Sequence, residues 1–474
     1  MRIPLAAPSY ETRSEAQSIA QLKNWFVVEN PSDEENPFVL YPTPGVKVWK
    51  TFTGANQVRQ LFEHKGTLYA VVDNTFYSLT TAAVETSRGT LNTSVGRVSI
   101  AAIENEIAFV DGLDGYSYKT DTNTFAQITD VDFPNLCKTI TAQDQYFMVE
   151  NPDTGQFYLS GLANGTVWSA ADLATAEGKP DNLISVFSHR RFLWLFGQYT
   201  TEIWYNSANV DFPFEKQNGI FIEYGLVAAY AVAEAANNLF WLGRNKTGAP
   251  VILQSNGFEP KIVSTRSINY LLGTYGDISD AYALSYVQEG HEFVVFSFPA
   301  ANVTWVYDVT TEQWHERDYY NGIRYGYWHG NCVAYFNNKI LIGSRDSGTI
   351  YELDLATYTD NSQRIRRKLI SDHLDLDMRR GCIYNLQIRI EPGIGLTASQ
   401  QGDDPQIMLR VSKDYGNTWG NEMWRSPGKI GEYLDRCVWT RLGEGRSFTF
   451  ELTATDPVKW VIHGARADVS ITKD

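Results

Sequence analysis

Residues 65–79 read KGTLYAVVDNTFYSL, and the pattern in this stretch decides the fold. A polar turn pair, Lys65-Gly66, precedes a short apolar strand from Leu68 to Val72, and a second strand runs from Thr75 to Leu79. Short runs of aromatic and β-branched residues between polar turn residues are typical of strands. The stretch therefore predicts one unit of a protein built from short strands.

The apolar strand of this unit recurs six more times along the chain. The later copies begin at Ile107, Tyr146, Phe192, Leu239, Phe293 and Ile340. Successive copies start 39 to 54 positions apart. A period of this length in an all-β sequence is typical of a β-propeller, in which closing the ring buries both faces of every unit. The repeat predicts six or seven blades.

The pattern changes after residue 358, where a polar stretch leads into a run of basic residues. Strands with alternating apolar residues follow at 385–390, 407–411 and 447–452, and they predict a small β-sandwich. The fold class is therefore all-β, a β-propeller followed by a small C-terminal β-sandwich. The predicted domains are an N-terminal arm (1–20), the propeller (21–360), a junction (361–380) and the sandwich (381–474).

The composition excludes several classes of protein. A net charge of −15 argues against a protein that holds nucleic acid by neutralising phosphates, and it is compatible with one that nucleic acid passes without sticking. The four cysteines form no CxxC pair, so we expect ordinary thiols and assembly in a reducing cytoplasm. No apolar leader and no membrane span is apparent.

The most specific local motif lies at residues 412–419, which read SKDYGNTW. Five residues match the Asp-box of sialidases: Ser412, Asp414, Gly416, Thr418 and Trp419. The Asp carboxylate of such a box accepts backbone N–H groups across a hairpin turn, and the Gly supplies a positive φ. The box occurs once and outside the repeat, so we interpret it as a structural hairpin. The alternative is a β-propeller glycosidase of the sialidase type.

No pattern of catalytic or metal-binding residues is found in the sequence. Asp111 and Asp114 could form a metal loop, but DG-x-DG is more commonly turn chemistry between strands. The seven histidines are never three or four residues apart, so no helical or hairpin pair of metal ligands is present. We expect no cofactor, no metal and no catalytic residue.

The basic run contains Arg364, Arg366, Arg367 and Lys368. It could contact DNA phosphates or an acidic partner, or it could be a solvated junction between domains. If DNA passes through an acidic channel, we expect this run to lie away from the channel, against a neighbouring subunit or partner.

Short stretches across the chain resemble the packaged-DNA stabilisation proteins, or tail-hub proteins, of short-tailed bacteriophages (podoviruses). The matching stretches are Asn24-Trp25, residues 40–45, Gly96-Arg97-Val98-Ser99, Phe196-Gly197, Thr201-Glu202, residues 247–250, Gly257, Pro260, residues 262–268, residues 306–308 and Trp314. The C-terminal region resembles the family in pattern more than in residues. The resemblance transfers no catalytic residue.

The resemblance implies a structural protein of the virion tail, assembled in the bacterial host cytoplasm. It implies a ring, expected to be hexameric, below the portal and its adaptor proteins. Such a ring extends the DNA channel, helps to retain packaged DNA and carries tail spikes, fibres or a needle. Double-stranded DNA would pass during ejection without sequence-specific binding. A third possibility is a soluble propeller that binds a protein partner in the cytoplasm.

Overall fold

The computed structural model describes residues 1–471, except residues 4, 6–8, 12, 15, 32–36, 177, 179–180 and 377–378. These described residues form 46 strands and one helix, α1 (Arg266–Thr274). The strands that precede the first blade are β1 (Arg2–Ile3), β2 (Tyr10–Glu11), β3 (Ile19–Lys23), β4 (Trp25–Glu29), β5 (Phe38–Pro42) and β6 (Gly45–Thr51).

Seven antiparallel sheets follow one another along the chain and form seven blades. Blades one to four are β7 (Val58–His64), β8 (Thr67–Val72), β9 (Thr75–Leu79) and β10 (Glu85–Thr90); β11 (Ser99–Ala102), β12 (Glu106–Val110), β13 (Gly115–Lys119) and β14 (Thr124–Gln127); β15 (Ile140–Gln143), β16 (Tyr146–Glu150), β17 (Gln156–Gly161) and β18 (Asn164–Thr175); β19 (Leu183–His189), β20 (Phe192–Gly197), β21 (Thr201–Asn206) and β22 (Phe214–Lys216). Blades five and six are β23 (Gly225–Leu226), β24 (Val232–Ala235), β25 (Asn238–Arg244), β26 (Val251–Asn256) and β27 (Glu259–Ile262); β28 (Tyr282–Gln288), β29 (His291–Phe298), β30 (Val303–Asp308) and β31 (Gln313–Glu316). A hairpin, β32 (Asp318–Tyr320) and β33 (Tyr325–Tyr327), precedes blade seven, which contains β34 (Gly330–Phe336), β35 (Lys339–Ser344) and β36 (Thr349–Asp354).

The seven repeated apolar strands are β8, β12, β16, β20, β25, β29 and β35, and each directly follows the strand of its blade that lines the central cavity. All five residues of β12 are buried, and so are the last five of β8. A strand in this position packs on a neighbouring blade with each face, so its sequence is continuously apolar rather than alternating. The predicted propeller is therefore confirmed, and it has seven blades.

Tight turns explain the polar residues before the repeated strands. In six of the seven blades the two turn residues both have positive φ, as in Lys65 (50°) with Gly66 (75°) and Asn337 (50°) with Asn338 (58°). Two-residue turns of this kind match the twist of the strands they join.

Blade seven is completed by a strand from the other end of the propeller sequence. Strand β6 pairs antiparallel with β36, from Gly45 opposite Asp354 to Thr51 opposite Thr349. The ring is therefore closed by hydrogen bonds between the first and last strands of the propeller, which leaves no free edge on β36.

Two short strands, β37 (Thr359–Asp360) and β38 (Gln363–Arg364), extend the sheet of blade seven beside β6. The strands that follow build the sandwich, and they are β39 (Arg367–Ile370), β40 (Leu374–Asp375), β41 (Gly381–Ile390), β42 (Ile407–Ser412), β43 (Met423–Arg425), β44 (Cys437–Gly445), β45 (Ser447–Ala454) and β46 (Ile462–Ile471). One sheet has the order β4-β5-β46-β41-β44, and the other runs β3-β39-β45-β42-β43. Their facing sides enclose one apolar core, in which Trp25, Trp439 and Trp460 are fully buried.

The pairing of β4 and β5 differs from the predicted domain boundaries. Residues 25–42 were assigned to the propeller, but Leu40 pairs with Ile462 and Trp25 Nε1 donates a hydrogen bond to the Trp460 carbonyl at 2.9 Å. The apolar face of this hairpin packs on the sandwich, against residues more than 400 positions later in the sequence. The boundaries otherwise remain a prediction, and residues 377–378 and 472–474 within them lie outside the described residues.

A continuous sheet connects the two regions. The outer strand of blade six, β31, pairs with β3, which pairs in turn with β39 of the sandwich. Lys23 Nζ lies 2.7 Å from Glu316 Oε2 across the first of these contacts. The sandwich is therefore attached to the edge of blade six by backbone hydrogen bonds as well as by side chains.

Candidate functional site

The first strands of the seven blades surround a central cavity of about 510 Å³. Its wall is made mainly of small and hydroxyl-bearing residues such as Ala101, Thr141 and Ser285. Arg97 is the one charged residue among the lining residues, all of which belong to the described chain. The cavity is therefore narrow and close to neutral, although the chain as a whole is strongly acidic.

Arg97 spans the mouth of this cavity and contacts blades five, six and seven. Its guanidinium carbon lies 3.9 Å from the ring centre of Tyr282 and 5.6 Å from that of Tyr230. Its Nη1 donates a hydrogen bond to Asn331 Oδ1 at 2.7 Å, and Nη2 donates to the Asn331 carbonyl. Asn331 Nδ2 donates in turn to the Val58 carbonyl of blade one at 2.8 Å. We call these four side chains, Arg97, Tyr230, Tyr282 and Asn331, the axial clamp.

The charge of the axial clamp resides on Arg97. Burial raises the pKa of both Tyr230 and Tyr282 to about 12, so both phenols stay neutral at physiological pH. A guanidinium stacked on neutral phenol rings is held by cation–π attraction. The clamp therefore places one fixed positive charge at the propeller axis.

A second buried arginine fixes the start of blade two, from which Arg97 projects. Arg59 is fully buried and donates to the carbonyls of Gly96 at 2.8 Å, Asp73 at 3.0 Å and Thr93 at 2.8 Å. Burial lowers the pKa of Arg59, while the nearby Asp111 carboxylate opposes this. Sequence reasoning identified neither arginine as a site residue, although Gly96-Arg97-Val98-Ser99 is one of the stretches that carry the family resemblance.

The basic run at the junction is mostly engaged within the chain. Arg364 is exposed, with its guanidinium carbon 4.4 Å from the Tyr320 ring centre. Arg366 forms an ion pair with Asp318 and stacks on Tyr325 at 3.9 Å. Lys368 Nζ lies 3.0 Å from Glu451 Oε2. Of the four predicted contact residues, Arg364 is therefore the one that is exposed.

Arg367, the remaining member of the run, is completely buried. Burial lowers its pKa to about 10, and the neighbouring Asp360 carboxyl opposes that shift. Burial also raises the pKa of Asp360 to about 6. Among the described residues, no hydrogen-bond partner faces the three guanidinium nitrogens of Arg367. This residue is positioned for a role inside the junction rather than at a surface.

The Asp-box forms the turn between β42 and β43. Asp414 Oδ1 accepts the Thr418 N–H at 2.8 Å, and Oδ2 accepts the Thr418 hydroxyl at 2.6 Å. Ser412 Oγ donates to Asp414 Oδ1 at 2.7 Å and accepts the Gly416 N–H at 2.9 Å. Gly416 has a φ of 92°, and the half-buried Trp419 lies against Arg410 at 5.4 Å. These contacts lower the pKa of Asp414, with the Thr418 hydroxyl as the largest cause, and they describe a hairpin turn.

The other motifs considered are also engaged in local contacts. Asp111 Oδ1 accepts the N–H groups of Leu113 and Asp114 at 3.0 and 2.8 Å, which is turn geometry. Within the described ranges, no group of three or more His, Cys, Asp and Glu side chains is arranged to hold a metal ion. No helix in the described part of the chain has the length and apolar character that crossing a bilayer requires.

Comparison with known protein families identifies the class of protein. Two family models match the chain: the β-propeller of bacteriophage P22 Gp10 over residues 1–358, and the β-sandwich of the same protein over residues 366–470. The family these models describe is a structural phage-stabilisation protein rather than an enzyme. The chain belongs to the bacteriophage P22 Gp10 family, and the family prediction from the sequence is confirmed.

One curated relative is the tail hub protein gp10 of Salmonella phage P22. It is 20% identical over 297 residues, which cover 60% of this chain and 60% of that protein. The match thus spans less than two thirds of the relative's length.

Two solved structures are also similar. The extracellular domain of a one-component system from B. thetaiotaomicron is 12% identical, with a TM-score of 0.44, over 88% of this chain and 57% of that one. PorZ of Porphyromonas gingivalis is 11% identical, with a TM-score of 0.39, over 80% of this chain and 46% of that one.

Proposed function

We propose that the chain is a tail hub protein of a short-tailed phage virion and helps to retain packaged DNA. Copies of it form a ring, expected to be hexameric, below the portal and its adaptor proteins. The ring extends the DNA channel and anchors spikes, fibres or a needle. Family membership and the tail hub protein of phage P22 support this proposal.

The closed propeller axis is the observation that carries the ring proposal. The axis holds a cavity of about 510 Å³, and Arg97 crosses its mouth. A duplex whose major groove alone is about 12 Å wide cannot enter such a space. DNA that passes this protein must therefore run outside each propeller, through an opening formed between copies.

The net charge of −15 supports an acidic wall around that opening. Carboxylates on the wall would repel phosphates and reduce friction during ejection. The Debye length at physiological salt is about 8 Å, so only charges close to the duplex contribute. In this proposal, retention before ejection depends on the partners that close the channel.

The ring can be tested directly with the purified full-length chain. The proposal expects the chain to co-sediment with particles that carry the portal and adaptor but lack the hub, and to appear in electron micrographs as a ring around the tail axis. Such particles should keep their DNA longer once the chain is added. Attachment as a single copy on the axis would contradict the proposal.

The partner contact can be tested at Arg364, the exposed member of the basic run. Arg364→Glu should block attachment to the tail and leave DNA affinity unchanged. Lys119→Glu, which reverses an exposed charge on blade two, is the control and should attach normally. If the isolated protein binds duplex DNA tightly with a steep salt dependence, and Arg364→Glu abolishes that binding, the protein is a DNA clamp and the proposal is wrong.

A further inference from the structure

A polar pocket of about 660 Å³ lies between the β32–β33 hairpin and blades six and seven. Asn302, Tyr319, Arg324, Tyr327, Arg345 and Asp346 contribute to its wall. Its volume is within the range of about 300–1,000 Å³ that small-molecule sites occupy. Neither the propeller fold nor the axial clamp requires it. We call it the hairpin pocket.

Two arginines give the hairpin pocket an excess of positive charge. Arg324 is exposed and forms no ion pair with any described residue. Arg345 lies flat on the Tyr327 ring, with its guanidinium carbon 3.4 Å from the ring centre, and its buried Nε has no partner among the described residues. Stacking therefore holds the Arg345 guanidinium in place, beside the exposed guanidinium of Arg324.

Neutral and acidic groups complete the wall. Asp346 lies 3.5 Å from Arg345, and its side chain is about half exposed. Asn302 Oδ1 accepts the Tyr327 N–H at 3.0 Å, so the amide oxygen is held, while the NH₂ group has no hydrogen-bond partner among the described residues. Hydroxyl groups donate well to carboxylates and accept well from amides. The pocket therefore offers partners for a ligand that has both hydroxyl groups and a negative charge.

The occupied aromatic faces argue against a nucleotide. Bases bind proteins by stacking on free aromatic rings. Here Arg345 covers one face of Tyr327, and His329 stacks on Tyr319 with ring centres 4.4 Å apart. The Asp346 carboxylate also repels a doubly charged phosphate more than a singly charged carboxylate. A planar carboxylate matches the fork geometry of an arginine.

We infer that the hairpin pocket binds a carboxylated saccharide, a sugar of the uronic-acid class, with its carboxylate on Arg345 and Arg324 and its hydroxyls on Asp346 and Asn302. A smaller cavity of about 230 Å³ continues from it past Arg345 and Asp346 to Arg97 and Asn331. A longer saccharide would extend along this path toward the axial clamp. The inference does not depend on ring formation, so the two proposals fail separately.

Ligand-observed NMR and calorimetry on the full chain test the inference with three probes: glucuronic acid, glucose and inorganic phosphate, at one ionic strength. We expect glucuronic acid to bind at least tenfold more tightly than either other probe. A short uronic-acid oligosaccharide should bind more tightly than the monosaccharide if the smaller cavity is used.

Variants of the wall residues locate the binding. Arg324→Ala and Arg345→Met should each weaken glucuronic acid binding at least tenfold. Arg324 is exposed, so its variant keeps the inference testable if Arg345→Met disturbs the fold. With acetate as an additional probe, Asp346→Asn should reduce the discrimination between glucuronic acid and acetate, because a hydroxyl acceptor is lost. Arg436→Ala, at an exposed arginine of the sandwich, is the matched control and should bind normally.

Three results would overturn the inference. The first is no detectable binding of glucuronic acid by folded protein. The second is phosphate binding as tight as that of glucuronic acid, which would indicate a general anion site. The third is glucuronic acid binding that survives both arginine substitutions, which would place it elsewhere on the chain.

Discussion

The propeller and the sandwich are both made of antiparallel strands, but they are assembled in opposite ways. Blades one to six are each built from strands that lie close together in the sequence, and two-residue turns join several of them. The sandwich joins β1, β4 and β5 from the first 42 residues to β41 and β46 from the last hundred. Local pairing leaves a repeat that can be recognised in the sequence, whereas long-range pairing does not.

The largest expected effect is at Trp25, which joins the N-terminal hairpin to the sandwich. Trp25→Ala removes a fully buried side chain and its hydrogen bond to Trp460, so we expect the free energy of unfolding to fall by about 3–5 kcal/mol. Urea unfolding followed by circular dichroism measures this loss. Hydrogen exchange should show that peptides from 381–390 and 462–471 lose protection first.

Trp424→Ala is the matched control for Trp25→Ala, since Trp424 belongs to the same sandwich but is 48% exposed. It should change the stability little. If Trp25→Ala reduced protection equally in blades two to four and in the sandwich, the two regions would unfold as one unit. That result would contradict the contrast between the propeller and the sandwich.

Arg97 tests a long-range contact in the propeller interior. Arg97→Met leaves the Asn331 carbonyl and amide oxygens without their donor, so we expect a loss of about 1–3 kcal/mol in urea unfolding. Arg97→Lys keeps the charge but not the bidentate hydrogen bonding. Its stability in urea unfolding should lie between those of Arg97→Met and the native chain. A lysine variant as stable as the native chain would mean that the charge alone matters.

Glu150, buried in blade three, gives the stability of the propeller a pH dependence. Burial raises the pKa of this carboxyl to about 7, against about 4.3 in an unfolded chain. Between these values the folded state holds a proton that the unfolded state has released. Stability from this group is therefore fully present below about pH 4.3 and is lost as pH rises through about 7.

Replacement of Glu150 separates its contribution from those of other groups. Glu150→Gln should flatten the stability–pH curve of the propeller between pH 4.5 and 7, measured by urea unfolding at a series of pH values. Glu444→Gln, at an exposed carboxyl of the sandwich, serves as the comparison. An unchanged slope in Glu150→Gln would assign the pH dependence to other carboxyls.

The smallest expected effect is at the Asp-box, which stabilises a single turn of the sandwich. Asp414→Ala removes the acceptor of the Thr418 N–H and hydroxyl groups, so the melting temperature should fall slightly. Asp414→Asn retains one oxygen acceptor, so its melting temperature should fall less. Sialidase or glucanase turnover by the purified native chain would contradict the structural interpretation of this motif.

The repeated strands, whose pattern lies in neighbouring residues, were predicted correctly. Contacts between residues far apart in the sequence were not predicted. The repeated strands were recognisable because both faces of each are buried. Trp25 gave no such signal, since its partner Trp460 is 435 positions away. Arg97 contacts three other blades, and none of those contacts follows from its neighbours in the sequence.

Arg367 could have been placed more accurately. Ile365, Arg367 and Leu369 alternate with exposed or half-buried residues, and all three are buried. The two-residue period of a strand puts Arg367 on the same face as its apolar neighbours. The density of positive charge in the run favoured a surface interpretation instead.

The closing strand β6 and the terminal strand β46 also set the order of events during translation. The outer strand of blade seven leaves the ribosome about 300 residues before β36, its partner. The hairpin of β4 and β5 is paired later still, because its partner strand β46 is made of the last described residues. The ring cannot close before β36 is made, and the sandwich cannot be completed before β46 is made, so a prematurely terminated product keeps open sheet edges that chaperones and proteases can recognise. Only a fully synthesised copy would be competent to enter a particle.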